Sequence, residues 1–268
     1  MTHPFDEALS LQPLDGERYA GRPHPGYANM VGPFGGISAA QMLQAVLIHP
    51  DRLGDPVSVT VNFCAAVADG GFEIEARPVR TNRSTQHWIV EMHQADGVVM
   101  SATVVTAVRR DTWADVEHPM PAVPAAASVP VVRRENAMTW LGRYEMRVVD
   151  GHFPPAWDGS EQADSRTRLW VRDHPPRPLD ATSLVALCDV FFPRIWRRRA
   201  TPAPIGTVSM TVYLHADAAR LRAVGDAPLL GQAQAQCFRG GFFDQTGQVW
   251  SADGDLLAST HQVVYFKG

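Results

Sequence analysis

The seven residues VSVTVNF, beginning at Val57, return 151 positions later (208 − 57) as VSMTVYL, beginning at Val208, with four of the seven letters identical. Both copies alternate apolar with polar side chains, the period of a strand with one buried face. A second pair follows in the same order. DGVVMSAT begins at Asp96 and DGDLLAST at Asp253, 157 positions apart (253 − 96), and each reads as a tight Asp-Gly turn with an outgoing strand. Upstream of each repeated strand lies a helix-like apolar segment, GGISAAQMLQAVLI from Gly35 and DATSLVALCDVFFPRIW from Asp180. Matched segments in one order and at similar spacing indicate a duplicated α+β unit of strand, long helix and several long antiparallel strands. The expected units are residues 1–112 and 139–268. Between them, residues 113–138 include VEHPMPAVPAAASVPVV, whose four prolines predict a stiff, extended connector belonging to neither half.

The chain has 268 residues, 45% hydrophobic and 19% charged, which suffices for a sizeable core and argues against disorder. A net charge of −4 gives no electrostatic reason to expect nucleic acid or an anionic membrane. No apolar run reaches the roughly 18 residues that span a bilayer, and the opening MTHPFDEALSLQP lacks a signal-peptide pattern, so a soluble cytoplasmic protein is expected. Cys64, Cys188 and Cys237 are odd in number and lack metal-type spacing, which predicts buried free thiols. No G-x-S-x-G, H-E-x-x-H or P-loop motif occurs, so no metal and no cofactor is expected.

In the second helical segment Leu184, Cys188, Phe191 and Ile195 form one stripe, while Val185, Ala186, Leu187, Val190 and Phe192 fill most other faces. A helix apolar almost all round is buried, here within the curved sheet of its own half. Asp180 or Thr182 is the expected N-cap, and Pro193 is expected to kink or end the helix. This shape is called a hotdog, and two fused units, a double hotdog, would share one sheet without exposed edges. Asp189 falls inside the apolar run. A buried carboxylate requires a partner or a task, so it is either paired with Arg194 or with one of Arg197, Arg198 and Arg199, or it is catalytic.

From about Tyr27 to Phe266 the chain resembles the acyl-CoA thioesterase II family of double-hotdog enzymes. The likeness is carried by PFGGISAAQMLQA and QHWIVEMHQADGVVMSATVVTA in the first half. In the second half it is carried by TRLWVRDHPPRPLDATSLVALCDVFFPRIW, IGTVSMTVYLHA and GDLLASTHQVVYF. The resemblance implies hydrolysis of acyl-CoA thioesters by a water held between an Asp, a Thr or Ser, and a Gln, and it implies a homo-oligomer. Matched by motif, these are Asp189, Thr207 and Gln262. The chain departs from the family pattern at Ser209-Met210, at Gln262-Val263-Val264 and at Val190-Phe191-Phe192. The resemblance therefore carries the water site and not the acyl specificity.

These residue types suit the chemistry. A carboxylate can take the proton that water loses on attacking the thioester, and burial should raise its pKa from about 3.9 toward that of a better base. Thr207 and Gln262 can hold the water, and Gln262 can alternatively donate to the oxyanion. Alternation places Thr207 with Ser209 and Thr211 on one face of its strand and Val208, Met210 and Val212 on the other. His261 neighbours Gln262 and points to the opposite face.

The helix of the first half carries no acid, so one site per chain is expected, with the first half as scaffold and channel wall. Gly35 and Gly36 at that helix start either bring backbone amides to the substrate or simply make a tight turn. The basic run Trp196–Arg199 either meets CoA phosphates or complements a helix dipole. The rival readings are a hotdog hydratase, whose Asp-His pair is missing here, and a non-catalytic acyl-CoA or acyl-carrier binding module.

Overall fold

The computed structural model describes residues 2–95, 97–132 and 138–267. Asp96, part of the first expected Asp-Gly turn, and residues 133–137 of the expected connector lie outside the described residues.

The first half runs α1 (Pro4–Ala8), β1 (Gln12–Pro13), β2 (Arg18–Gly21), α2 (Gly35–Leu47), β3 (Asp55–Phe63), β4 (Phe72–Thr81), β5 (Thr85–Gln94) and β6 (Gly97–Ala107). The second half runs β7 (Tyr144–Asp150), β8 (Thr167–Asp173), α3 (Ala181–Leu187), α4 (Arg194–Arg198), β9 (Ile205–Leu214), α5 (Ala218–Val224), β10 (Leu229–Gln234), β11 (Phe238–Arg239), β12 (Phe242–Trp250) and β13 (Leu256–Phe266). All strands join one antiparallel sheet in the order β1-β2-β4-β5-β6-β3-β9-β13-β12-β10-β8-β7, with β11 attached to β12. The two repeated strands, β3 and β9, pair with each other at its centre. Their register sets Ser58 opposite Tyr213, Thr60 opposite Thr211 and Asn62 opposite Ser209. Thr60 and Thr211 are equivalent in the repeat, so a local two-fold axis passes between them, and their hydroxyls are 3.0 Å apart.

The repeat extends to an irregularity. In the second half Val263 faces Ser209 and Val264 faces Thr207, which leaves Val208 as a bulge. In the first half Val105 faces Ser58 and Thr106 faces Pro56, which leaves the equivalent Val57 as a bulge. A bulge inserts one residue and reverses side-chain parity beyond it. Thr207 therefore shares the face of Val264, which is buried, and of Gln262, opposite to Ser209 and Thr211. This corrects the face expected from simple alternation.

The helices lie against the inner face of the sheet and against each other. α2 is buried over most of its length, and Gln41 within it donates to the Ala8 carbonyl at 2.7 Å. α3 is capped by Asp180, whose carboxylate accepts from the Ser183 amide at 2.8 Å. The long second helix expected from the sequence is not present: α3 ends at Leu187, and Pro193 precedes a separate helix, α4. Pro193 would clash with the carbonyl four residues earlier, that of Asp189, and it disfavours helical geometry at Phe192. The fully buried Arg194 guanidinium then holds the released chain. It donates to the Phe192 carbonyl, to Ser165 O at 2.8 Å and to Thr167 Oγ1 at 2.9 Å. Asp189 thus stands in the turn beyond the helix, not within it.

The proline-rich segment is also not a free connector. Leu230 is paired with both Trp170 and Trp250, so the three form a row across β8, β10 and β12 on the outer face. Val129, Met120 and Val123 pack on this row, while the Trp170 and Trp250 indoles donate to Pro124 O at 2.9 Å and His118 O at 3.3 Å. Its stiffness serves as a strap over the second half. Of the three free thiols only Cys188 is buried; Cys64 and Cys237 are exposed, contrary to expectation. Among the described residues no helix is long and apolar enough to cross a membrane.

Candidate active site at the junction of the two halves

Asp189 and Gln262 meet inside the molecule. Gln262, 3% exposed on β13, donates through Nε2 to Asp189 Oδ1 at 2.8 Å. The backbone amide of Gly36, in the first turn of α2, donates to the same carboxylate. An acid from the second half is therefore held by the helix N-terminus of the first, where an anion is favoured. The glycines make this approach possible. A methyl group on Gly35 would lie 2.9 Å from Asp189 Oδ2, and one on Gly36 would lie 2.6 Å from the Ala186 carbonyl and 2.5 Å from the Phe34 ring. Gly36 so serves the carboxylate, and Gly35 also borders the cavity.

That cavity is about 1140 Å³ and lies between the halves. Its wall includes Phe34, Phe63 and Met100 from the first half and Val148, Leu169 and Phe192 from the second. Asp189, Thr207 and Gln262 all border it. Burial pushes the Asp189 carboxyl up to about 7, against the downward pull of the hydrogen bonds from Gln262 and Gly36. Arg194 is not its counter-ion. Arg198 and Arg199 pair with Glu161 at 3.2 and 3.5 Å. Asp189 has no cationic partner among the described residues, so the ion-pair reading of this acid fails. His261 faces outward, exposed, with Asp244 Oδ2 at 3.2 Å, as strand parity requires. Among the described residues no cluster of His, Cys, Asp and Glu could hold a metal ion.

Comparison with known proteins identifies the family. Residues 115–266, more than half of the chain, match the profile of the acyl-CoA thioesterase C-terminal domain, and residues 24–107 match that of the acyl-CoA thioesterase N-terminal domain. The chain belongs to the acyl-CoA thioesterase family. Among solved structures, this family member is similar to a conserved protein of unknown function with a hotdog fold from Alicyclobacillus acidocaldarius. Identity is 48%, the alignment covers 100% of this chain and 99% of that one, and the TM-score is 0.94. A putative thioesterase II from Thermobifida fusca is 20% identical over 98% and 97% of the two chains, with a TM-score of 0.82. The acyl-CoA thioesterase II TesB2 from Mycobacterium marinum is 18% identical over 98% of each, with a TM-score of 0.75. The last two show likeness of fold. No curated protein matches the chain by sequence.

Within this thioesterase-family fold a further buried glutamine borders the cavity. Gln245 on β12, 3% exposed, stands directly opposite Gln262. Sequence reasoning passed over it because FFDQTGQVW offers polar side chains on both strand faces. The available signal was position: Phe243 and Val249, its neighbours on that face, are both core residues.

Proposed function

We propose that this chain is an acyl-CoA thioesterase of double-hotdog architecture, with units at residues 1–112 and 139–268 and a single active site built from Asp189, Thr207 and Gln262. The observation that carries the reading is the enclosed carboxylate itself. Asp189 borders a large cavity with apolar walls and has no cation beside it, and its pKa of about 7 suits a base at neutral pH. A buried acid held by two hydrogen-bond donors and open to a cavity has the properties of a poised base rather than of half an ion pair.

In this reading the acyl chain fills the apolar part of the cavity and the thioester lies beside Asp189. Water held between Asp189 and the Thr207 hydroxyl attacks the carbonyl carbon while Asp189 takes its proton. Gln262 and the Gly36 amide fix the carboxylate, so the base is positioned before substrate arrives. The CoA thiol then leaves with that proton and the acyl group departs as the free acid. The first half is more than a scaffold, because the start of α2 belongs to the site. Release of free thiol from a panel of acyl-CoAs, short, long and aromatic, tests the reading. Turnover on at least one member is expected; no turnover on any, with tight acyl-CoA binding, would support the binding module instead.

A further inference from the structure

Four buried glutamines can be compared, each no more than 3% exposed: Gln41, Gln86, Gln245 and Gln262. Gln41 donates to Ala8 O, Gln86 donates to Asp51 O and accepts from the Leu53 amide, and Gln262 donates to Asp189. Gln245 is the exception: its side chain has no hydrogen bond to another described residue and borders the cavity instead. A buried amide is costly unless something completes its hydrogen bonds, and this one borders the cavity. As direct cross-strand partners, Gln245 and Gln262 have their Cα atoms roughly 5 Å apart and their side chains on one face.

The donors that hold Asp189 are spent. The Gln262 amide has Asp189 Oδ1 at 2.8 Å and Met210 Sδ at 3.4 Å, and the Gly36 amide is given to Asp189. Attack on a thioester leaves a negative charge on the former carbonyl oxygen, and that charge needs a donor of its own. We infer that the Gln245 side-chain amide donates to the thioester carbonyl oxygen and to the oxyanion it becomes, an inference that rests on the thioesterase reading. As the water oxygen bonds to the carbonyl carbon, one water proton passes to Asp189 and the C=O π pair moves onto the oxygen facing Gln245. On collapse that pair restores C=O, the C–S bond breaks with its electrons on sulfur, and the proton on Asp189 goes to the thiolate. The carboxylic acid product then ionises. In the first half the place of Gln245 is taken by Trp88, whose indole donates to Thr106 Oγ1 at 3.3 Å and is thereby committed within the core.

The test compares Gln245→Leu with the wild-type chain. The expected result is a fall in kcat of about 10²–10³-fold. KM should rise by no more than about tenfold, the worth of the hydrogen bond to the ground-state carbonyl, and the acid limb of the pH profile, which belongs to Asp189, should not move. Binding of two unreactive CoA analogues gives an independent reading: a thioether without a carbonyl, and a ketone in which a methylene replaces the sulfur. Wild type should prefer the ketone by about tenfold, the worth of one hydrogen bond, and the variant should bind both equally. If Gln245→Leu does not fold, Gln245→Met, closer in shape, carries the same comparison. A variant with wild-type kcat, or one that keeps the ketone preference, overturns the inference while leaving the thioesterase reading intact. A wild-type chain that releases no thiol from any acyl-CoA overturns both.

Discussion

The two halves share a strand plan down to a bulge at equivalent valines, yet they use the interior of that plan in opposite ways. In the first half the inner face at the equivalent positions carries Pro56, Val104 and Trp88; in the second it carries Thr207, Gln262 and Gln245. The first set continues a core, while the second borders a cavity that also receives Asp189. The difference teaches that one sheet geometry supports either packing or a polar pocket, and that a few inward positions decide between them. It also teaches that the halves are not independent. The polar half has the acid, but the apolar half supplies the helix N-terminus that holds it.

Making the second half resemble the first should have the largest effect. Gln262→Val, the residue found at the equivalent position, removes the donor to Asp189 Oδ1 and frees the carboxylate to turn. A loss in kcat/KM of at least about 10²-fold is expected from the misplaced base, with the fold intact by circular dichroism. Unchanged turnover would mean that the hydrogen bond at Gln262 does not position the base.

The converse exchange should cost stability and yield no second site. Val104→Gln places a carboxamide in a packed core without an acid beside it, and the nearby hydroxyl, that of Thr106, already accepts from the Trp88 indole. A destabilisation of about 1–3 kcal/mol is expected from its unmet hydrogen bonds, measured by denaturant unfolding. Turnover per chain should not rise.

The pH dependence separates the halves through Asp189. Because the base must be ionised, kcat should fall as pH drops through about 7. Its folded pKa lies above the unfolded value of 3.8, so the native state holds a proton that the unfolded chain releases. The stability from that proton is full below about 3.8 and lost as pH rises through about 7. Asp189→Asn should therefore melt higher than wild type at pH 8, and the gap should close near pH 4. A gap independent of pH would assign the effect to packing rather than to charge.

The smallest effect is expected on the axis that relates the halves. Thr60→Val removes the hydroxyl contact with Thr211, which costs about 0.5–1.5 kcal/mol and leaves kcat unchanged. A change in kcat would show that the central strand pair acts on the site.

Much of this organisation was legible in the sequence. The repeated strands announced the duplication, and their pairing across the centre of the sheet explains why they are so alike. Asp189 stood out as a lone acid in an apolar run, and Gln262 followed from the resemblance. Three features were hidden, each for a physical reason. The early end of α3 was masked because Val190, Phe191 and Phe192 continue the apolar run, while the residues that hold the chain out of the helix, Arg194 with Ser165 and Thr167, are distant in sequence. The inward face of Thr207 depends on a bulge, which alternation alone does not reveal. The strap looks like a linker in sequence because prolines signal stiffness but not what the stiff segment lies upon.

The central claim is that Asp189 is the base of one water-activating site. Thiol release by wild type and by Asp189→Asn, on the acyl-CoA that the wild type hydrolyses fastest, tests it most directly. The account predicts a fall in kcat of about 10²–10⁴-fold with the fold retained. Turnover that survives the substitution would contradict it.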